Sequence, residues 1–109
     1  MQIVRFEGAF RLPWRAIRDA NDQWTGICEP LALTVQGETW VELCENIAES
    51  LNLMLLGLLK TGDLEHFLQD RGWRLATPID KFSKDLQFDV PCTVTTAREA
   101  GFAAQEAVH

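Results

Sequence analysis

The sequence predicts an α+β fold: an antiparallel β-sheet of three to four strands packed by one long helix, followed by a short second helix and a C-terminal strand and helix. Three observations predict it. Short apolar alternations separated by turn residues fill the first 36 positions, a capped helical period runs on from Thr39, and strand and helix patterns return after residue 72. A length of 109 residues suits one domain, with its core over 1–76 and a strand-helix extension over 77–109. Apolar residues at 47% and charged ones at 24% fit a folded globular chain rather than a disordered or collagen-like one.

In order, residues 2–7 (QIVRFE) and 14–20 (WRAIRDA) read as strands, with Pro13 as a break between them. NDQ at 21–23 reads as a hairpin turn, which Asn and Asp favour. Strands follow at 24–28 and 31–36, the second with Leu31, Leu33 and Val35 on one face and Ala32, Thr34 and Gln36 on the other. These strands make an antiparallel meander with one buried face.

The long helix opens with Thr39 at its N-cap and Glu42 three residues on, a capping box, and stops at Gly62. At 100° per residue, Trp40, Val41, Cys44, Ile47, Ala48, Leu51, Met54, Leu55, Leu58 and Leu59 share a broad face that covers the sheet. Glu42, Glu45, Asn46 and Glu49 lie opposite, followed by Leu53 and Leu56 beside Gly57. Asp63 then opens a short helix, LEHFLQDR, ended by Gly72, with Leu64, Phe67 and Leu68 inward, and 73–79 reads as a strand or extended arm. In LQFDVPCTVTT, Phe88, Val90, Cys92 and Val94 alternate with Asp89, Pro91, Thr93 and Thr95, and Pro91 confines this strand to an edge or bulge. Thr96 and Glu99 repeat the capping-box spacing and open a final helix.

The net charge is −6, and Glu38, Glu42, Glu45 and Glu49 form one stripe with no Lys or Arg between residues 19 and 59. Such a surface repels phosphate backbones and attracts basic partners. The helix macrodipole explains Glu38 and Glu42 as an ordinary solvated face. It does less for Glu45 and Glu49, which repel their neighbours with no lysine in compensation. Arg5, Arg11, Arg15 and Arg18 give the N-terminal sheet a positive stretch, read as a solvated face, a nucleic-acid contact or a counterweight to the acidic helix. Leu53 and Leu56 beside a glycine are poor material for a water-facing surface. They call for a cover, either a second copy of the chain or the C-terminal helix through Phe102 and Ala103.

Enzymatic signals are sparse. His66 sits inside a helix and His109 is terminal, no Ser/His/Asp or Cys/His grouping emerges, and the seven glycines are scattered without a phosphate-cradling loop. Cys28, Cys44 and Cys92 are odd in number with no C-x-x-C pair, which fits a reducing cytosol. MQIVRFEGAFRLPWR is not a signal peptide, and the longest apolar run, 53–59, is far short of the ~20 residues that span a bilayer. The enzymatic alternative is a nuclease-like sheet whose Glu7 and Glu29 hold a divalent metal.

The run from Trp14 to Leu59, with its NDQ turn, the strand WTGICEP and then LTVQGETWVELCENIAESLNLML, resembles the HicB-like antitoxin family. The matching positions are Gly37, Thr39, Glu42, Asn46 and Glu49, followed by Leu51 and Leu55, and the resemblance covers residues 1–60. It implies a small β-β-β-α domain, a partial RNase H-like fold without the nuclease carboxylates. It further implies a non-enzymatic bacterial, cytoplasmic antitoxin that neutralises a small basic mRNA-cleaving toxin as a homodimer or higher oligomer, with no metal or other cofactor. On that reading Glu38, Glu42, Glu45 and Glu49 bind the partner, and Leu53, Leu56 and Gly57 mediate self-association. Two departures stand out: Glu29-Pro30-Leu31 replaces the Pro-Gly-Cys that often precedes the third strand. Residues 77–109 offer one strand and an Ala-rich acidic helix with Lys81, Lys84 and Arg98 as cations, instead of a ribbon-helix-helix or helix-turn-helix. DNA binding is therefore not expected. The alternative within the same fold is an orphan interaction domain without a toxin.

Overall fold

Two asparagines and a set of glycines organise the fold, and they are best seen strand by strand. The computed structural model describes residues 2–76, 78–79 and 85–98. Among them are seven strands, β1 (Gln2–Glu7), β2 (Leu12–Arg18), β3 (Trp24–Cys28), β4 (Leu33–Gly37), β5 (Arg74–Leu75), β6 (Leu86–Asp89) and β7 (Cys92–Arg98), and two α-helices, α1 (Trp40–Thr61) and α2 (Leu64–Asp70). The strands form two sheets, of order β5-β1-β6 and β4-β3-β2-β7. The chain divides into two units, Leu12–Glu49 with Cys92–His109 and Met1–Arg11 with Ser50–Pro91.

In the first unit, β2 and β3 pair antiparallel from Arg15↔Ile27 to Arg18↔Trp24. Their turn begins earlier than NDQ: Asp19 accepts from the backbone N–H groups of Asn21 and Gln23 with its carboxylate, and Asp22 takes a left-handed φ of 62°. Antiparallel pairing continues from β3 to β4, from Trp24↔Gly37 to Cys28↔Leu33. A 3-10 turn at Glu29–Leu31 and a left-handed Ala32 precede β4, so Leu31 is not part of the strand as the alternation suggested. Pro13 lies inside β2 instead of breaking the chain before it, at a position paired with Thr93 of β7 and beyond the end of the β3 ladder. There its missing N–H interrupts nothing on the β3 side.

The first part of α1 packs on this sheet where the sheet is thinnest. A Cβ on Gly26 would meet Ile47 Cδ1 at 3.2 Å and Leu43 Cδ1 at 3.3 Å, so the absence of a side chain lets the helix sit close to β3. Leu12, Trp14, Ala16, Cys28, Val35, Leu43 and Ile47 form the core. Asn46 anchors the helix laterally, its Nδ2 donating to the Gln36 carbonyl of the edge strand β4 at 2.8 Å. The inward face is therefore shifted from the expected one. Leu43 is fully buried, whereas Val41 is 63% exposed and Ala48 is exposed.

In the second unit, β1 is the central strand, antiparallel to β5 and parallel to β6. It is thus no part of the β2–β4 meander to which its alternation seemed to assign it. Val4, Leu51, Leu55, Leu64, Leu68, Trp73, Leu86 and Phe88 are buried. Trp73 is the hub: it stacks on Phe6 at a ring separation of 5.4 Å, and its Nε1 donates to the Phe10 carbonyl at 2.7 Å. Gly8, with a φ of 145°, leaves room for it, since a Cβ there would lie 2.8 Å from Trp73 Cδ1.

Asn52 closes the free edge of β6. Its Nδ2 donates to the Leu86 carbonyl at 3.1 Å and its Oδ1 accepts from the Phe88 N–H at 2.8 Å. Taking the C=O of one residue and the N–H two residues on is what a residue of a parallel neighbour strand does, so the carboxamide replaces one rung of a ladder. Asn52→Asp keeps the acceptor but sets a carboxylate against the Leu86 carbonyl. We expect it to lower stability by about 2 kcal/mol, read as a lower urea midpoint at unchanged slope.

The single strand read across LQFDVPCTVTT is two. β6 pairs with β1 and, after Val90 and Pro91, β7 pairs in parallel with β2 from Leu12↔Cys92 to Arg18↔Arg98. Thr96 is an interior residue of β7 and not a helix cap. The final helix expected from it, with Phe102 and Ala103, lies outside the described residues.

Candidate functional site

The start of α1 is built as its sequence requires. Thr39 Oγ1 accepts from the Glu42 N–H at 3.0 Å, and the Glu42 carboxylate reaches back to the Glu38 N–H at 3.2 Å. The box is thus closed one residue further upstream than the usual reciprocal pair, and two donors without helical partners are satisfied. Thr39 O then accepts from Leu43 N–H at 2.9 Å.

From this fixed end the acidic stripe projects outward. Glu38, Glu42, Glu45 and Glu49 are all exposed, and none forms an ion pair among the described residues. Three of the four arginines expected to balance them are engaged elsewhere: Arg15 with Glu29 at 3.6 Å, Arg18 with Asp22 at 2.7 Å, and, in the other unit, Arg5 with Asp89 at 3.9 Å. Cross-strand and turn partners are nearer in sequence and register than the helix, and each pair is exposed and worth little by itself.

Sequence reasoning missed the apolar members of this surface. Val41 is exposed beside the glutamates instead of inward, and Trp40 stands edge-on to Trp24 at a ring separation of 5.0 Å. The Arg18 guanidinium lies 5.9 Å from the Trp24 ring centre. The available signal was Val41 lying next to Glu42 and, one turn on, Glu45. Half-buried tryptophans and an exposed aliphatic group near charged residues are typical material of protein interfaces.

The second candidate surface lies on the later part of α1, within the other unit. Leu53 is 63% exposed, Leu56 is half-buried and Gly57 is exposed. Among the described residues, a Cβ on Gly57 would have nothing within 4 Å, and its φ is not positive. Neither space among the described residues nor backbone conformation asks for glycine there.

The remaining candidates are scattered. Glu7 is exposed at the end of β1, Glu29 is held by Arg15, and among the described residues no three His, Cys, Asp or Glu side chains gather as a metal-binding group. His66 is exposed and lies 3.5 Å from Asp70, one turn on along α2. Burial pushes the Cys44 thiol above its ordinary pKa, the opposite of what a nucleophilic cysteine needs. No described helix is long and apolar enough to cross a membrane. Comparison with protein-family models, with curated proteins and with solved structures finds no match to this chain.

Proposed function

We propose that the chain is a non-enzymatic, HicB-like antitoxin-type protein. It binds and neutralises a small basic mRNA-cleaving toxin through Glu38, Glu42, Glu45 and Glu49, and associates with its own copies through Leu53, Leu56 and Gly57. The observation that carries the reading is the stripe of four exposed glutamates without a cation, set beside exposed Val41, in a unit whose Arg15 and Arg18 pair elsewhere. A charged field with apolar anchors suits a basic protein partner better than solvent alone. The succession of β2, β3, β4 and α1 also supports it, being the β-β-β-α order that the family resemblance implies.

Gly57 supports the self-association. In the middle of an exposed helix a glycine costs about 1 kcal/mol relative to alanine, and no contact among the described residues requires it. The close approach of a second backbone does. Gly57→Ala should therefore raise the stability of the isolated protomer by about 1 kcal/mol and weaken self-association, two effects of opposite sign from one methyl group. Leu53→Glu with Leu56→Glu should give a monomer in sedimentation equilibrium. An unchanged oligomeric state in that double variant contradicts this part of the proposal.

A further inference from the structure

The unit that contains β1 also holds a cleft that plays no part in the surfaces above. Its floor is Leu64 and Leu68 of α2 together with Trp73, at 4, 4 and 2% exposure. Its volume is about 570 Å³, within the roughly 300–1,000 Å³ of small-molecule sites, so a ligand larger than a single ion or water can enter. Three polar side chains line it: Glu65 and Gln69 from α2 and Arg74 from β5.

These three are not equivalent. Gln69 Nε2 donates to the Glu65 carboxylate at 3.5 Å, so that acid has a partner within its own helix. Arg74 is exposed and forms no ion pair among the described residues, in contrast to Arg5, Arg15 and Arg18. An apolar floor with an unmatched guanidinium at its edge is complementary to a molecule with an apolar tail and one anionic end. Arg is also the side chain whose planar fork matches a carboxylate with two hydrogen bonds.

The geometry points to a binding site for a small amphipathic carboxylic acid, its alkyl chain against Leu64, Leu68 and Trp73 and its carboxylate on Arg74. The cleft is large enough to take a medium-chain acid. Glu65 lines the same cleft and its negative charge disfavours an anionic ligand, so its removal strengthens binding and the removal of Arg74 weakens it. A cationic amphiphile has the reverse dependence, which separates the two ligand classes.

Calorimetric titration of the full chain with hexanoate, octanoate and decanoate tests the site. The expected result is saturable binding of one molecule per chain that tightens roughly fourfold per added methylene. Arg74→Gln should weaken decanoate about tenfold and leave decanol unchanged, and Glu65→Gln should hold or improve decanoate affinity. Arg74 is exposed, so its replacement leaves the fold intact. Absence of saturable binding, decanoate affinity unaltered by Arg74→Gln, or tighter binding of decylamine than of decanoate would each overturn the assignment.

Discussion

A variant carrying Glu38→Lys, Glu45→Lys and Glu49→Lys should lose affinity for a basic partner by about 100-fold at low salt, because three attractive contacts become repulsive. Glu42 is left in place, since its carboxylate holds the Glu38 N–H at the start of α1. All three replaced residues are exposed and without ion pairs among the described residues. Folding stability should therefore stay within about 1 kcal/mol of the parent. A lysine before the helix loses a favourable position near the N-terminal end of the macrodipole, while a lysine at 45 turns its repulsion with Glu42 into attraction and 45 and 49 stay a like-charged pair. The affinity loss should shrink as salt rises and the Debye length shortens. Binding measured at two ionic strengths, beside a thermal melt of each protein, separates loss of recognition from loss of fold.

Gly37→Ala should produce a large loss of stability, about 3 kcal/mol. A Cβ at this position would lie 2.5 Å from Leu43 N and 2.7 Å from Leu43 Cα. Those are helix backbone atoms, not the end of a flexible side chain, and Leu43 is fully buried. Relief requires moving the first turn of α1 off the sheet, which breaks the contacts of Leu43 and Ile47 over Gly26. The denaturation midpoint should fall without a change of slope. Gly57→Ala is the built-in comparison, the same chemical change with the opposite sign for the protomer, because no described residue stands within 4 Å of the new methyl.

What was legible in the sequence was local. Thr39 and Glu42 marked the start of α1, Gly62 and Gly72 with left-handed φ values of 85° and 69° marked the ends of the two helices, and β3 falls at residues 24–28 as its pattern indicates. The exposure of Leu53 and of the four glutamates also followed from helical spacing. What failed depended on distant partners. β1 alternates like a meander strand, yet its neighbours are β5 and β6, more than 60 residues away, and no local pattern distinguishes the two pairings. The inward row of α1 runs through Leu43, Ile47, Leu51 and Leu55, and such a row advances about 40° around the axis at each step. A single face averaged along 22 residues leaves out the first member and admits Val41 in its place. Pro91 did interrupt a strand, but the residues on either side of it enter different sheets.

Asn46 shows where a family resemblance and a physical role meet without naming a binding residue. It occupies the mid-helix position on which part of the resemblance rests, and its side chain is bonded to Gln36 O of β4. Its work is to hold the helix against an edge strand, as Asn52 does for β6. Among the described residues, the glutamates around it have no such intrachain anchor beyond the cap made by Glu42.

The most direct test of the central claim is light scattering of the purified chain alone and after mixing with the product of the adjacent reading frame, if that frame encodes a small basic protein. The proposal predicts a dimer or larger assembly that takes up the basic protein at low salt and releases it at ~0.5 M salt, where exposed charges are screened. A monomer that leaves the basic protein free at low salt would contradict it.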